Sequence, residues 1–123
     1  MKLSKIVIAA AVVAAGASGV ATSAFAQAKE QFFPLLSYRT GPYAPNGTPW
    51  ANGKQDYLKL INARDGGING VKVTFEECET GYMTDRGVEC YERLKSRPGV
   101  TLFDPQATGI TFALTEKAPV DKI

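Results

Sequence analysis

The stretch PWANGKQDYLKLINARDGGINGVKVTF, residues 49–75, changes periodicity half-way, and that change decides the fold. From Pro49 to about Asp65 the spacing is helical: Trp50, Tyr57, Leu58 and Ile61 fall on one side, and Asn52, Gln55, Lys59 and Asn62 lie opposite. Gly53 permits close packing, and Lys54 is a misfit inside the apolar side. Gly66-Gly67 stops the helix; after Asn69-Gly70 the run Val71 to Phe75 alternates as a strand does. Upstream, Gly41-Pro42 and Asn46-Gly47 are expected breaks, with Thr48 capping the helix and Pro49 in its first turn.

The same alternation extends outward. Gln31 to Thr40 holds FFPLLSY, apolar on both alternations, which predicts a strand covered on both faces and irregular near Pro34. A second helix is expected from Met83 or Thr84 to Arg97, with Met83, Gly87, Cys90, Tyr91 and Leu94 on its packed side. Val100 to Phe103 predicts a short third strand, Thr108 to Ala118 a third helix ended by Pro119, and the last four residues, VDKI, the entrance to another strand. The order β-α-β-α-β-α with short connections predicts an α/β fold: a parallel sheet with flanking helices and right-handed crossovers.

Residues 1–26 have the form of a secretory signal, with Lys2 and Lys5 ahead of an apolar run and Ala24-Phe25-Ala26 as the small-x-small cleavage site. Cleavage after Ala26 predicts one small exported domain, residues 27–123, and the resemblance described below implies the periplasm. Without Lys2 and Lys5, Lys and Arg balance Asp and Glu at 12 each. No basic stripe is interleaved with aromatics, so a nucleic-acid partner is not expected. Cys78 and Cys90 are too far apart for a C-x-x-C redox pair, which leaves a structural disulfide or two buried thiols. Two cysteines and no histidine make a zinc site unexpected.

Catalytic readings fail on spacing and composition. GTPWANGKQ puts five residues between Gly47 and Gly53 and Gln55 where a phosphate-binding loop needs a hydroxyl; Gly41, Gly47 and Gly53 are too widely spaced for a dinucleotide fingerprint. No histidine is present to activate a serine or cysteine. Glu76, Glu77 and Glu79 are clustered, but neighbours on a strand point to opposite faces, so a solvated strand end is expected. Open parallel sheets bind ligands beyond the carboxyl ends of their strands. Here that edge is formed by Thr40 to Thr48, Glu77 to Asp85 and Asp104 to Thr108, where Tyr43, Tyr82, Gln106 and Thr108 offer aromatic walls or hydrogen-bonding groups. Lys54 is expected to carry its charge out to solvent along an apolar stem.

The segments TGPYAPNG, NARDGGINGVKV and EECETGYMTDRGVECYERLK, in that order, resemble the amino-terminal lobe of the periplasmic substrate-binding receptors of ABC transporters, in the branched-chain amino acid and amide group. The resemblance covers about Gln31 to Ile123 and implies part of one lobe of a two-lobed receptor that traps a small solute, hands it to an inner-membrane permease, needs no cofactor and is not an enzyme. It places cleft walls on Gly41 to Thr48 and on Asp104 to Thr108. Leucine-type receptors tend to carry an aromatic wall near Asn46; the polar residue here implies an amino acid, amide or urea-like ligand. A sensing module of the same fold that does not feed transport is the alternative.

Overall fold

The computed structural model describes residues 30–123. The expected signal segment, 1–26, lies outside the described residues. Strand β1, Glu30–Ser37, pairs in parallel with β2, Lys72–Glu79, in a register running from Glu30 opposite Lys72 to Ser37 opposite Glu79. Helix α1, Ala44–Asp65, makes the crossover between them. Helix α2, Thr84–Leu94, follows β2, and two short helices, α3, Thr108–Leu114, and α4, Lys117–Asp121, complete the chain. None of these helices is long and apolar enough to cross a membrane.

Helices cover both faces of the sheet, as the two-sided apolar pattern of β1 requires. Leu36 enters a buried cluster with Cys90, Tyr91, Ala107, Ile110 and Leu114 on the α2 and α3 side. Phe33 and Leu35 line a groove with Leu58 of α1 on the other. Tyr91 is fully buried and its hydroxyl donates to Asp121 Oδ2 at 2.7 Å, an arrangement in which burial and the neighbouring carboxylate push the phenol up to about 12.

Cys78 of β2 and Cys90 of α2 are joined, with sulfurs 1.98 Å apart and a sequence separation of 12. The link clips a strand of a small sheet to the helix that covers it. Replacing both cysteines by alanine is expected to cost about 3 kcal/mol through the loop-closure entropy restored to the unfolded chain. Urea unfolding of wild type and variant, with and without reductant, measures it; equal midpoints would show that the packing of Leu36, Tyr91 and Leu94 holds α2 unaided.

Several expected boundaries move. Helix α1 begins at Ala44, so Asn46-Gly47 is helical, Thr48 is no cap and Pro49 lies inside the helix. The hydrogen bond Pro49 cannot donate would go to the carbonyl of Pro45, an exposed residue whose oxygen water can satisfy. The buried side of α1 also differs: it runs through Gly47 and Ala51, while Trp50 and Tyr57 are each 59% exposed. Gln55 and Asn62, expected on the outer face, turn to the sheet. Asn62 Oδ1 accepts from Val73 N at 2.9 Å and its Nδ2 donates to Val73 O at 2.6 Å, closing part of the β2 edge that would otherwise be open.

The third strand is reduced to two isolated parallel bridges, Phe32 with Val100 and Leu35 with Asp104. Phe32 N donates to Gly99 O at 3.2 Å, but two residues on, Pro34 has no N–H for the same side of the ladder. Helix α2 stops at Leu94, short of Arg97, and Met83 stays exposed before its first turn. The expected third helix is split at Thr115 and Glu116, and Pro119 sits within α4, where its missing N–H belongs to the unpaired first turn. VDKI is therefore the end of a helix and not a strand entrance, and Ile123 packs against the buried cluster.

Candidate ligand-binding edge

Glu79 ties the carboxyl ends of β1 and β2 together, beside Thr80 Oγ1, which donates to Ser37 O at 2.8 Å. Glu79 Oε2 accepts from Ser37 Oγ at 2.9 Å and Arg39 N at 2.8 Å; its Oε1 accepts from Thr40 N at 3.2 Å, Thr40 Oγ1 at 3.0 Å and Gly81 N at 2.9 Å. The last residue of β2 thus sets the start of the loop after β1 and the turn after itself. Burial pushes the Glu79 carboxyl up, but these hydrogen bonds, led by that from Arg39 N, outweigh burial and hold it below the usual carboxylate range.

The loops positioned this way carry three tyrosines. Tyr82 meets Tyr43 at 4.5 Å between ring centroids and Tyr38 edge-on at 5.1 Å. On its other side Tyr82 lines an open hollow of about 380 Å³ with Gln106, Thr108, Thr111 and Phe112. Tyr82 and Gln106 both have left-handed backbones, φ +67° and +56°, which is costly for residues other than glycine and clusters at functional sites. Of the sequence candidates, Tyr82, Gln106 and Thr108 line this hollow, and Tyr43 joins it through the contact with Tyr82. Asn46 is exposed on the first turn of α1 and is not among the lining residues.

The carboxylate cluster is not a solvated strand end. Glu77 accepts from Arg39 Nε and Nη2, one guanidinium edge, and from Gln55 Nε2 at 2.5 Å; burial pushes its carboxyl up, and Arg39, Ser37 and Gln55 hold it below the ordinary range. Arg39 also donates to Asn52 Oδ1 at 2.8 Å, fastening the loop to α1. Glu76 pairs with Arg93 and Arg97. Each acid already holds protein donors, and among the described residues no group of three His, Cys, Asp or Glu is placed to hold a metal. Lys54 is ion-paired with Asp104, joining α1 to the loop that carries Gln106.

Arg39 and Tyr38 are the residues of this edge that sequence reasoning missed, and Glu79, expected at a solvated strand end, is instead its hub. An acid at the last strand position ahead of Thr80-Gly81 was the available signal, since a glycine turn presents backbone N–H groups to it.

A family model described as periplasmic binding protein matches residues 30–123. A solved structure from the Pseudomonas fluorescens group, described as an ABC transporter permease, is 47% identical with a TM-score of 0.74; it is matched over 77% of this chain and 24% of its own. A fatty acid ABC transporter substrate-binding protein from Thermomonospora curvata is 24% identical over the same shares, with a TM-score of 0.65, a likeness of fold. This chain therefore spans about a quarter of the length of either. No curated protein matches it.

Proposed function

This chain belongs to the periplasmic binding protein family, and we propose on that footing that it is the amino-terminal part of an exported solute receptor of an ABC transporter. The receptor captures an amino acid, amide or similar small polar solute in the periplasm and delivers it to an inner-membrane permease. Members of the family are receptors without catalytic activity. In this reading residues 1–26 are the export signal, cleaved after Ala26, and 27–123 belong to the first lobe, whose wall of the cleft is the carboxyl edge of the sheet.

The observation that supports it best is the meeting of Tyr82, Gln106 and Thr108 around one hollow, with Tyr43 in tilted ring contact with Tyr82. Apolar ring faces and a few convergent polar groups suit a small solute with both characters. The open side of the hollow suits a receptor whose other lobe supplies the opposite wall. The fatty acid in the name of one structural neighbour is that protein's ligand.

Tyr43→Ala and Thr108→Ala in the full-length receptor are each expected to weaken solute binding by at least about tenfold, the effect of one good contact or hydrogen bond. Titration calorimetry against a set of free amino acids and amides tests this. Unchanged affinity in both variants would remove the proposed cleft.

A further inference from the structure

The bond between Cys78 and Cys90 has its two ends in different surroundings. Cys90 is 3% exposed, inside the cluster with Leu36, Tyr91 and Ile110. Cys78 is half-buried at the edge of that cluster. Both cysteines line a second open hollow, of about 330 Å³, together with Glu79, Arg86, Glu89 and Arg93. A small nucleophile has a path to the bond from that side without any unfolding of the chain.

Charge divides the two ends as well. Arg93 Nη2 donates to Cys78 Sγ at 3.1 Å, while its Nη1 pairs with Glu76. Arg97 Nη1 also pairs with Glu76, at 3.2 Å, so two guanidinium groups face one carboxylate beside the sulfur. Of the acids in the hollow, Glu79 is held by the donors described above, and Glu89 lies one turn before Arg93 on α2. A neutral disulfide gains little from a guanidinium, whereas a thiolate is stabilised by a neighbouring cation. Cys90, among apolar side chains, suits a neutral thiol, which packs as a small hydrophobe. The surroundings are thus already sorted for the reduced pair, with a thiolate at Cys78 and a buried thiol at Cys90.

We propose that Cys78–Cys90 is a reversible exchange site for a dithiol reductant, with Arg93 as its positioning cation, and that opening the bond loosens the binding edge. A thiolate of the reductant attacks Cys78 Sγ, the more exposed sulfur; the S–S bond breaks, and Cys90 leaves as a thiolate that takes a proton from water. The second thiolate of the reductant then attacks the reductant's own sulfur in the mixed disulfide and expels Cys78 as a thiolate beside Arg93. Two electrons pass to the cysteine pair, and the reductant departs as a disulfide. While the bond is closed it ties β2 to α2 at both ends of residues 79–89, which carry the Glu79 hub, Gly81 and Tyr82. Once it is open, α2 stays docked through Tyr91 and Leu94, both fully buried, and the segment between loses its covalent tie. The exchange itself needs no solute; its effect on solute capture rests on the receptor reading above.

The test equilibrates the full-length receptor with mixtures of reduced and oxidised dithiothreitol at mildly alkaline pH and counts the two thiols by alkylation and mass. Wild type is expected to open while folded, with Cys78 alkylated before Cys90. Arg93→Leu is expected to shift the equilibrium toward the disulfide by about five- to tenfold, and Arg93→Lys, which restores a cation, to recover most of that shift. Hydrogen exchange at the backbone amides of Thr40 and Gly81, both donors to Glu79, is expected to quicken by at least about tenfold in the reduced protein. Equal equilibria in wild type and Arg93→Leu would overturn the proposal by removing the role of the cation. Thiols that appear only at the rate of global unfolding would overturn it by making the bond a structural staple. Unchanged exchange at both amides would overturn the link to the binding edge. If the thiol and exchange results hold while Tyr43→Ala and Thr108→Ala leave solute binding unchanged, the exchange site stands and the proposed cleft falls. If those variants weaken binding and Arg93→Leu leaves the equilibrium where it was, the cleft stands and this inference falls.

Discussion

Glu79→Gln is expected to destabilise the chain by about 2–4 kcal/mol and to loosen both loops at the candidate site. All five groups around this carboxylate donate to it, two on one oxygen and three on the other. A glutamine amide must turn its N–H₂ toward one of these sets, where the backbone N–H groups of Arg39 or of Thr40 and Gly81 cannot reverse. Hydrogen bonds to a charged acceptor contribute about 1.5–3 kcal/mol each, and entering water recovers part of the loss. Urea unfolding of the full-length chain measures the effect, and a change below about 0.5 kcal/mol would show that Ser37 and the tyrosine contacts hold the loops without it.

The same substitution has a pH signature. Because the folded-state value of Glu79 is depressed, its stabilisation is fully present above the unfolded carboxylate value, near 4.3, and is lost as pH falls through the folded value. Wild type should therefore lose stability on acidification below about pH 4.3, and Glu79→Gln should lose less over the same interval. Glu77, also depressed, keeps a residual acid sensitivity in the variant.

Gly47→Ala is expected to cost about 3–5 kcal/mol or to prevent folding, although alanine is the better helix former by about 1 kcal/mol. A Cβ at this position would stand 2.0 Å from the carbonyl oxygen of Tyr38 and 2.3 Å from its ring. Either α1 lifts from the sheet or Tyr38 leaves its edge contact with Tyr82. Gly53 in the same helix has nothing within 4 Å of the added carbon, so Gly53→Ala is expected to raise stability by up to about 1 kcal/mol. Thermal unfolding of the two variants side by side checks the account; equal effects would mean that close approach at Tyr38 does not set the position of α1.

The sequence by itself determined the α/β class and the order of the first elements, because those depend on local chemistry. The helical spacing after Pro49, the Gly66-Gly67 stop and the alternating run after Gly70 act within a few residues of chain. The carboxyl-edge loops followed from connectivity alone, since every strand in such a sheet ends on the same side. Tertiary structure decided which face of α1 is buried: Gly47 and Ala51 lie inward because Tyr38 must be approached closely, which no apolar count of Trp50 and Tyr57 reveals. It decided that Pro34 breaks the ladder toward Val100, because a missing N–H matters only once a neighbouring strand lies on that side. It also decided the state of the carboxylates, since Glu79 becomes a hub only when Ser37, Arg39 and Thr40, about forty residues earlier in the chain, arrive beside it. Periodicity reports what a residue does with its near neighbours, and hydrogen bonds across that separation are made by the fold.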